Sequence, residues 1–269
     1  MLISKDQIWV IGMSIIDSFK LNSKPKITPE DIYKKSSLKL DACIILFAYQ
    51  FIDMLLEKDI IELIEPVVIH SVACDYPIYK IKGENIGVVK TTVGAPVTAV
   101  FLEEVGFIYN CDNFILFGNC GILDKKIEKH HIIVPTSAYR NEGLSYHYLE
   151  PFDYIEIKGY KVVEKVLKRL NLDYVLGKTW TTDAFYRETE EEIELRKSEG
   201  CICVEMEIAS CEAVARYSNK NLYPLLYTGD RLDGDKWVKP DLKKFDEELR
   251  MYRFNIAHEL AKEVIDDEY

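Results

Sequence analysis

The stretch Cys203-Val-Glu-Met-Glu-Ile-Ala-Ser210 decides how this chain is read. It leads into an apolar, alanine-rich segment, Glu207 to Tyr217, which predicts a buried helix. The acids of Val204-Glu-Met-Glu207 therefore stand at a helix start. Two carboxylates around a methionine suit a ribose: the acids accept from the sugar hydroxyls while the thioether side chain packs on the ring face. Taken alone, the tetrapeptide fits equally well as acids set against the positive end of a helix dipole. Its surroundings have to choose between the two.

Working outward, Ala42-Cys-Ile-Ile-Leu-Phe47 is a continuous apolar run of the kind found in strands covered on both faces. Ile86–Val89, Asn113–Phe117, His131–Pro135 and Asn221–Tyr227 are further strand candidates. Helical spacing predicts helices over Phe51–Leu63, Pro96–Val105, Tyr160–Leu170, Ile193–Ser198 and Leu242–Val264, with a short one starting at Pro29 and running to Tyr33. Strands alternating with helices predict an α/β fold: a single domain with a twisted, mostly parallel central β-sheet flanked by helices. Residues 1–40 read as a lead-in segment and residues 41–269 as the catalytic domain. In such folds ligands collect beyond the carboxyl ends of strands, and the motifs of this chain begin where its predicted strands end.

Composition narrows the class. The 269 residues are 48% hydrophobic and 29% charged, ordinary for a soluble globular protein. A net charge of -11 argues against nucleic acid as a partner, because phosphates need a basic patch. The 7 cysteines are an odd number without a Cys-x-x-Cys pair, and they read as buried thiols of a reducing compartment. His130, His131 and His147 have no cysteine pair at ligand spacing, so no metal is expected. Ile8–Ile16 is apolar but lacks a basic start and a cleavage site, and it is too short to span a bilayer. No membrane association is expected, and the cytoplasm is the simplest address.

Around the opening motif stand Gly118-Asn-Cys-Gly-Ile-Leu123, Glu142-Gly-Leu-Ser-Tyr-His-Tyr148, Thr181-Thr-Asp-Ala-Phe-Tyr-Arg-Glu-Thr189 and Leu226-Tyr-Thr-Gly-Asp230. In this order and spacing, over roughly residues 40 to 240, the chain resembles the nucleoside phosphorylase family. The resemblance implies cleavage of the bond between ribose and a nucleobase, which builds positive charge on the sugar and negative charge on the leaving base. It gives Glu207 the ribose hydroxyls, with Met206 on the sugar face and Glu205 assisting. Val204 and Phe185 are expected against the base. Asp230 becomes the general acid for a purine, a task that needs a protonated carboxyl; Gly229 stands where a serine often precedes that aspartate. Thr189 and Glu191 replace the Gln and Arg that read uracil in uridine phosphorylases, which favours a purine-type base.

On the nucleophile side the resemblance thins. The family's Gly-Asp-Pro-x-Arg loop corresponds to Ala48-Tyr-Gln-Phe-Ile52, and a strand arginine corresponds to Leu116, with Asn119 in place of the neighbouring Ser or Thr. Arginine forks are the usual phosphate ligands. The remaining candidates are a nest of backbone N–H groups along Gly118, Asn119, Cys120 and Gly121, with Arg140 or Arg187 supplying charge. The leading expectation is phosphorolysis of a nucleoside, with inorganic phosphate as co-substrate and no organic cofactor. Hydrolysis by water is the second reading, although the Gly-x-Met-x-x-Glu signature of such hydrolases is not evident near Ile11–Ser14. A non-catalytic nucleoside sensor is the third. The resemblance also implies a homo-oligomer, a dimer or a hexamer.

Overall fold

The apolar run at residue 42 forms a strand in which every residue is buried, preceded by a one-turn helix, α1 (Pro29–Ile32), and labelled β1 (Ala42–Leu46). The computed structural model describes residues 20–70, 75–128, 131–239 and 247–266. The apolar segment Ile8–Ile16, Ile11–Ser14 within it, Cys74 and His130 lie outside the described residues.

Helix α2 (Tyr49–Glu57) follows β1 and stops at Lys58-Asp59, where Asp59 takes a left-handed φ of 58°. The chain then enters strand β2 (Ile61–His70). The single helix expected over Phe51–Leu63 is therefore two elements; apolar side chains continue across the break, so spacing did not reveal it. Strands β3 (Asp75–Ile81) and β4 (Ile86–Lys90) lead to helix α3 (Ala95–Ile108) and the long strand β5 (Asn113–Ile122). Next come β6 (Ile132–Asn141), β7 (Tyr154–Glu156), α4 (Tyr160–Arg169) and β8 (Tyr174–Thr182). Helix α5 (Glu190–Ser198), β9 (Cys201–Glu205), α6 (Ile208–Tyr217), β10 (Asn221–Arg231) and α7 (Glu247–Asp266) complete the order. Leu242 to Asp246, where the last helix was expected to begin, lie outside the described residues.

The strands form one sheet in the order β10-β6-β8-β9-β5-β1-β4-β3-β2, with β7 on β6. A further pairing of β10 with β5 closes β5, β10, β6, β8 and β9 into a ring. The sheet is mixed, not mostly parallel as expected. β1, β4, β5 and β10 run together, and so do β6, β8 and β9. The second group is antiparallel to the first where they meet, at β5–β9 and β10–β6, and β2, β3 and β4 form an antiparallel meander. Parallel neighbours need a long crossover, whereas short connections turn the chain back on itself. The meander strands β2 and β3 carry no uninterrupted apolar run, and the sequence reading missed them.

Helices cover both faces. On one, Ala99, Phe101, Leu102 and Val105 of α3 pack with Ile208, Ala209, Ala213 and Val214 of α6 against Phe114 and Leu116 of the sheet. On the other, Phe51 and Leu55 of α2, Val163 and Leu167 of α4, and Phe254 and Leu260 of α7 cover Ile44, Leu46, Ile115 and Phe117. Burial of both strand faces explains the continuous apolar runs of β1 and β5. Among the described residues, no helix is long and apolar enough to cross a membrane.

Candidate active site

Strand β5 changes neighbours partway along. Through Phe117 it pairs with β1, and from Gly121 it pairs with β9, so residues 118–120 have β10 on one flank and no strand on the other. Asn119 is the one exposed residue of the strand. This is a switch in strand order, the kind of position where open α/β sheets hold ligands. Because β9 runs antiparallel to β5, residues beyond Val204 double back beside that gap.

Within the ribose motif the two glutamates have separate jobs. Glu205 accepts hydrogen bonds from the backbone N–H of Glu207 and Ile208, both at 2.7 Å, and from the hydroxyls of Thr181 and Thr179. Its carboxyl is used as the cap of α6, which satisfies N–H groups that a helix start leaves open. Both carboxyl oxygens of Glu205 thus accept within the fold, and the side chain is turned inward. Burial raises its pKa to about 7 against the lowering effect of those donors. Glu207 instead reaches across the gap, accepting from Gly94 N–H at 2.6 Å and from Met206 N–H at 3.3 Å. Gly94 sits at φ 121°, a conformation that side-chain-bearing residues rarely adopt, at the start of α3. Burial, then the charge of Glu205, pushes Glu207 up to about 8. The fold therefore favours its protonated form relative to an ordinary carboxyl.

Asp230, at the end of β10, meets this motif at Gly121. A side chain on Gly121 would lie 2.9 Å from Val204 Cγ1, 3.3 Å from Asp230 Oδ1 and 2.6 Å from Leu232 Cδ1. The charges of Glu205 and Asp230 also both act on the Cys120 thiol. The ribose motif and the candidate acid thus face the same few residues of β5. Gly229 is explained as well: a Cβ there would stand 2.9 Å from both Cys120 O and Asn119 Nδ2. Asn119 fills space that a serine at 229 would need, so the two departures from the family pattern go together.

Trp237 and Glu188, not singled out in the sequence, also bear on this end of the site. Beyond Arg231 the chain makes a tight hairpin, with Arg231 and Val238 exchanging backbone hydrogen bonds at 2.9 and 3.0 Å. This turn brings Trp237, 62% exposed, onto the acid, its indole N–H donating to Asp230 Oδ2 at 2.6 Å. The adjacent cation does not compete, because Arg231 is bonded to Asp233 and to Ile127 O. Glu188 ends the short helical turn Phe185–Arg187 and lies on the wall of a cavity of about 550 Å³ together with Trp237. Burial, then the charge of Asp230, raises Glu188 to about 7. Phe185 is 51% exposed at the rim, its ring 4.0 Å from that of Tyr186. Trp180 is a core residue, buried with Leu123, Ile193, Cys201 and Val204.

The nucleophile-side candidates fare differently. Gly118, Asn119, Cys120 and Gly121 run as extended strand in register with β10, and none has a positive φ, so they do not form the expected nest. The Cys120 thiol is buried, bonds Tyr227 O, and is pushed well up by burial. Arg140 is buried too. Its Nε donates to Ser145 Oγ at 2.8 Å, its Nη1 to the carbonyls of Glu150 and Phe152, and its Nη2 to that of Leu149, while the guanidinium stacks on Tyr146. It staples the loop 142–152 with four of its five N–H donors. Arg187 is exposed at the rim.

A family model described as the phosphorylase superfamily matches residues 47–265, and the chain belongs to that superfamily, as a member of its nucleoside phosphorylase family. Among curated proteins, it is 24% identical over 166 residues to a purine nucleoside phosphorylase DeoD-type of Aliivibrio fischeri, covering 61% of this chain and 70% of that one. It is 28% identical over 170 residues to the purine nucleoside phosphorylase DeoD-type 1 of Shewanella oneidensis, covering 62% and 72%. Two solved structures share the fold. Purine nucleoside phosphorylase from Toxoplasma gondii in complex with immucillin-H superposes with a TM-score of 0.68 at 16% identity, over 86% of this chain and 93% of that one. AMP nucleosidase from Bacteroides thetaiotaomicron superposes with a TM-score of 0.64 at 17% identity, over 84% and 90%.

Proposed function

We propose that this protein cleaves the N-glycosidic bond of a purine-type nucleoside, with inorganic phosphate as the acceptor, giving the free base and ribose 1-phosphate. The observation that carries the reading is the meeting of Val204 and Asp230 at Gly121, which lets one nucleoside span the ribose motif and the acid. In this reading Glu207 holds the ribose hydroxyls and Met206 packs on the sugar. Developing positive charge on the ribose is favoured by the nearby acids, and the base departs with a proton supplied at Asp230. Phe185, at the rim, closes on the base. Phosphate as acceptor is supported by the curated relatives, which are purine nucleoside phosphorylases at 24% and 28% identity.

Water as acceptor is the second reading, and one observation favours it: four of the five donors of Arg140 are used on main-chain carbonyls and Ser145. A single assay separates the two. Inosine, adenosine, guanosine and uridine are incubated with and without phosphate, and base release is followed. Strict dependence on phosphate supports phosphorolysis; equal release without it supports hydrolysis. Binding without release of any base would overturn both. A homo-oligomer, dimer or hexamer, is part of the same proposal, and sedimentation of the purified chain tests it.

A further inference from the structure

One buried acid beside the ribose motif has no part in the reading above. Glu142 follows strand β6 and is 7% exposed. Its Oε2 accepts from the backbone N–H of Ser145 at 2.9 Å and from the hydroxyl of Ser210. Its Oε1 is buried and, among the described residues, has no hydrogen-bond partner. Burying a carboxyl with one oxygen unpaired costs free energy. Stability alone is thus a poor reason for an acid here, whereas its bond to Ser210 has a use. Ser210 is fully buried in the first turn of α6, three residues beyond Glu207, which starts that helix. Residues three apart share a helix face. Glu142 therefore grips α6 one turn from the carboxyl assigned to the ribose.

The other end of that grip is held fast. Arg140 Nε donates to Ser145 Oγ at 2.8 Å, so the residue whose N–H meets Glu142 is tied to β6 as well. Gly143 N–H donates to Asp183 Oδ2 at 3.1 Å, and Asp183 N–H donates to Asn141 O at 3.4 Å. Those two bonds fasten the same short segment to the chain just before the helical turn Phe185–Arg187. Asn141 to Ser145 is thus a junction between the base-side turn and the start of α6. The Glu205 cap fixes the backbone at Glu207 and Ile208. Glu142 fixes the helix one turn further on, and two anchors set a direction where one leaves a pivot. We propose that Glu142 is a positioning residue: by holding Ser210 it sets where the Glu207 carboxyl meets the ribose. The inference rests on the proposed N-glycosidic cleavage and adds a residue that acts through Glu207.

The experiment is a double-mutant cycle on kcat/KM for the purine ribonucleoside that the native chain cleaves fastest. Glu142→Ala and Ser210→Ala are each measured alone and combined with Glu207→Ala, with denaturant melts to confirm that every variant folds. Small misplacements of a binding group are costly, so Glu142→Ala is expected to lose about 10-fold and Ser210→Ala about 3-fold in the native background. In the Glu207→Ala background both losses are expected to fall below about twofold, because the group they position is gone. A residue that served folding alone would lower turnover by the same factor in both backgrounds. Equal losses in both backgrounds, or native kcat/KM in both single variants, overturn the inference and leave the cleavage reading intact. Should Glu142→Ala fail to fold, the Ser210→Ala cycle decides alone. Native-like cleavage by Glu207→Ala would remove the ribose reading, and the positioning role with it.

Discussion

At one end of the candidate site, Glu188 and Trp237 line a cavity, Trp237 donates to Asp230, and Glu207 accepts from Gly94 N–H beside β5. At the other, Arg140 and Cys120 spend their polar atoms on the main chain of their own protein. Both ends were picked out by motif, and motif alone ranked them similarly. What separates them is where hydrogen-bonding capacity is already used. A buried polar group that has found its partners within the fold holds structure together; one facing a crevice keeps capacity for a ligand. By that criterion the proposed base and sugar end keeps capacity for a ligand, while Arg140 is tied mostly to its own loop.

Substitutions can break this contrast. The largest effect is expected at Asp230: Asp230→Asn should lower nucleoside cleavage by about 10²- to 10⁴-fold, the usual yield of a positioned acid, with an unchanged far-ultraviolet circular dichroism spectrum. Turnover within a few-fold of native would remove its acid role. Glu207→Ala comes next, with a loss of about 10- to 100-fold in kcat/KM from one buried hydrogen-bond site for the ribose. The defect should shrink when 2′- or 3′-deoxynucleosides are compared, since those substrates have already lost the hydroxyl concerned; an equal defect on all substrates would argue for a folding role.

The same acid gives a pH signature. Glu205 and Glu207 stand at about 7 and about 8 in the fold, against an ordinary value of 4.5. Folding therefore favours their protonated forms. The stability they contribute is fully present below about pH 4.5 and declines as pH rises, because the unfolded chain ionises first; the loss is complete by about pH 8. Denaturant melts of the native chain and Glu207→Gln between these limits should diverge, the native chain losing on the order of a few kcal/mol relative to the variant. Parallel curves would place Glu207 in an environment open to water. The smallest effect on turnover is expected at Arg140. Arg140→Ala should cost about 2–4 kcal/mol of stability through abandoned carbonyls, yet leave the KM for phosphate within about twofold. A phosphate KM raised without loss of stability would put Arg140 back at the nucleophile.

Much of this was legible in the sequence, and what was not has identifiable causes. β1 and the first half of β5 announce themselves as apolar runs because helices cover both their faces. β8, Tyr174–Thr182, does not: its exposed Leu176, Gly177 and threonines blur any period. β2 hid behind α2 because the break rests on Asp59 adopting a left-handed turn that aspartate accepts without a glycine to mark it. In the candidate site, order and spacing singled out Glu207 and Asp230 as candidates. They did not reveal that Glu205 is consumed as a helix cap, since cap and ligand ask for the same residue type at the same place. Nor did they reveal Arg140's fate, which depends on the carbonyls of residues 149–152 wrapping around it. Trp237 reaches Asp230 through a hairpin and shares a cavity wall with Glu188, and no local pattern encodes that meeting.

The most direct measurement is a crystal structure of the chain with a purine ribonucleoside, or a non-cleavable analogue, bound at saturation. The account predicts ribose hydroxyls on the Glu207 carboxyl, Met206 against the sugar, and the base edge within hydrogen-bonding distance of Asp230. A nucleoside seated with its ribose away from Glu207 and its base out of reach of Asp230 would contradict it.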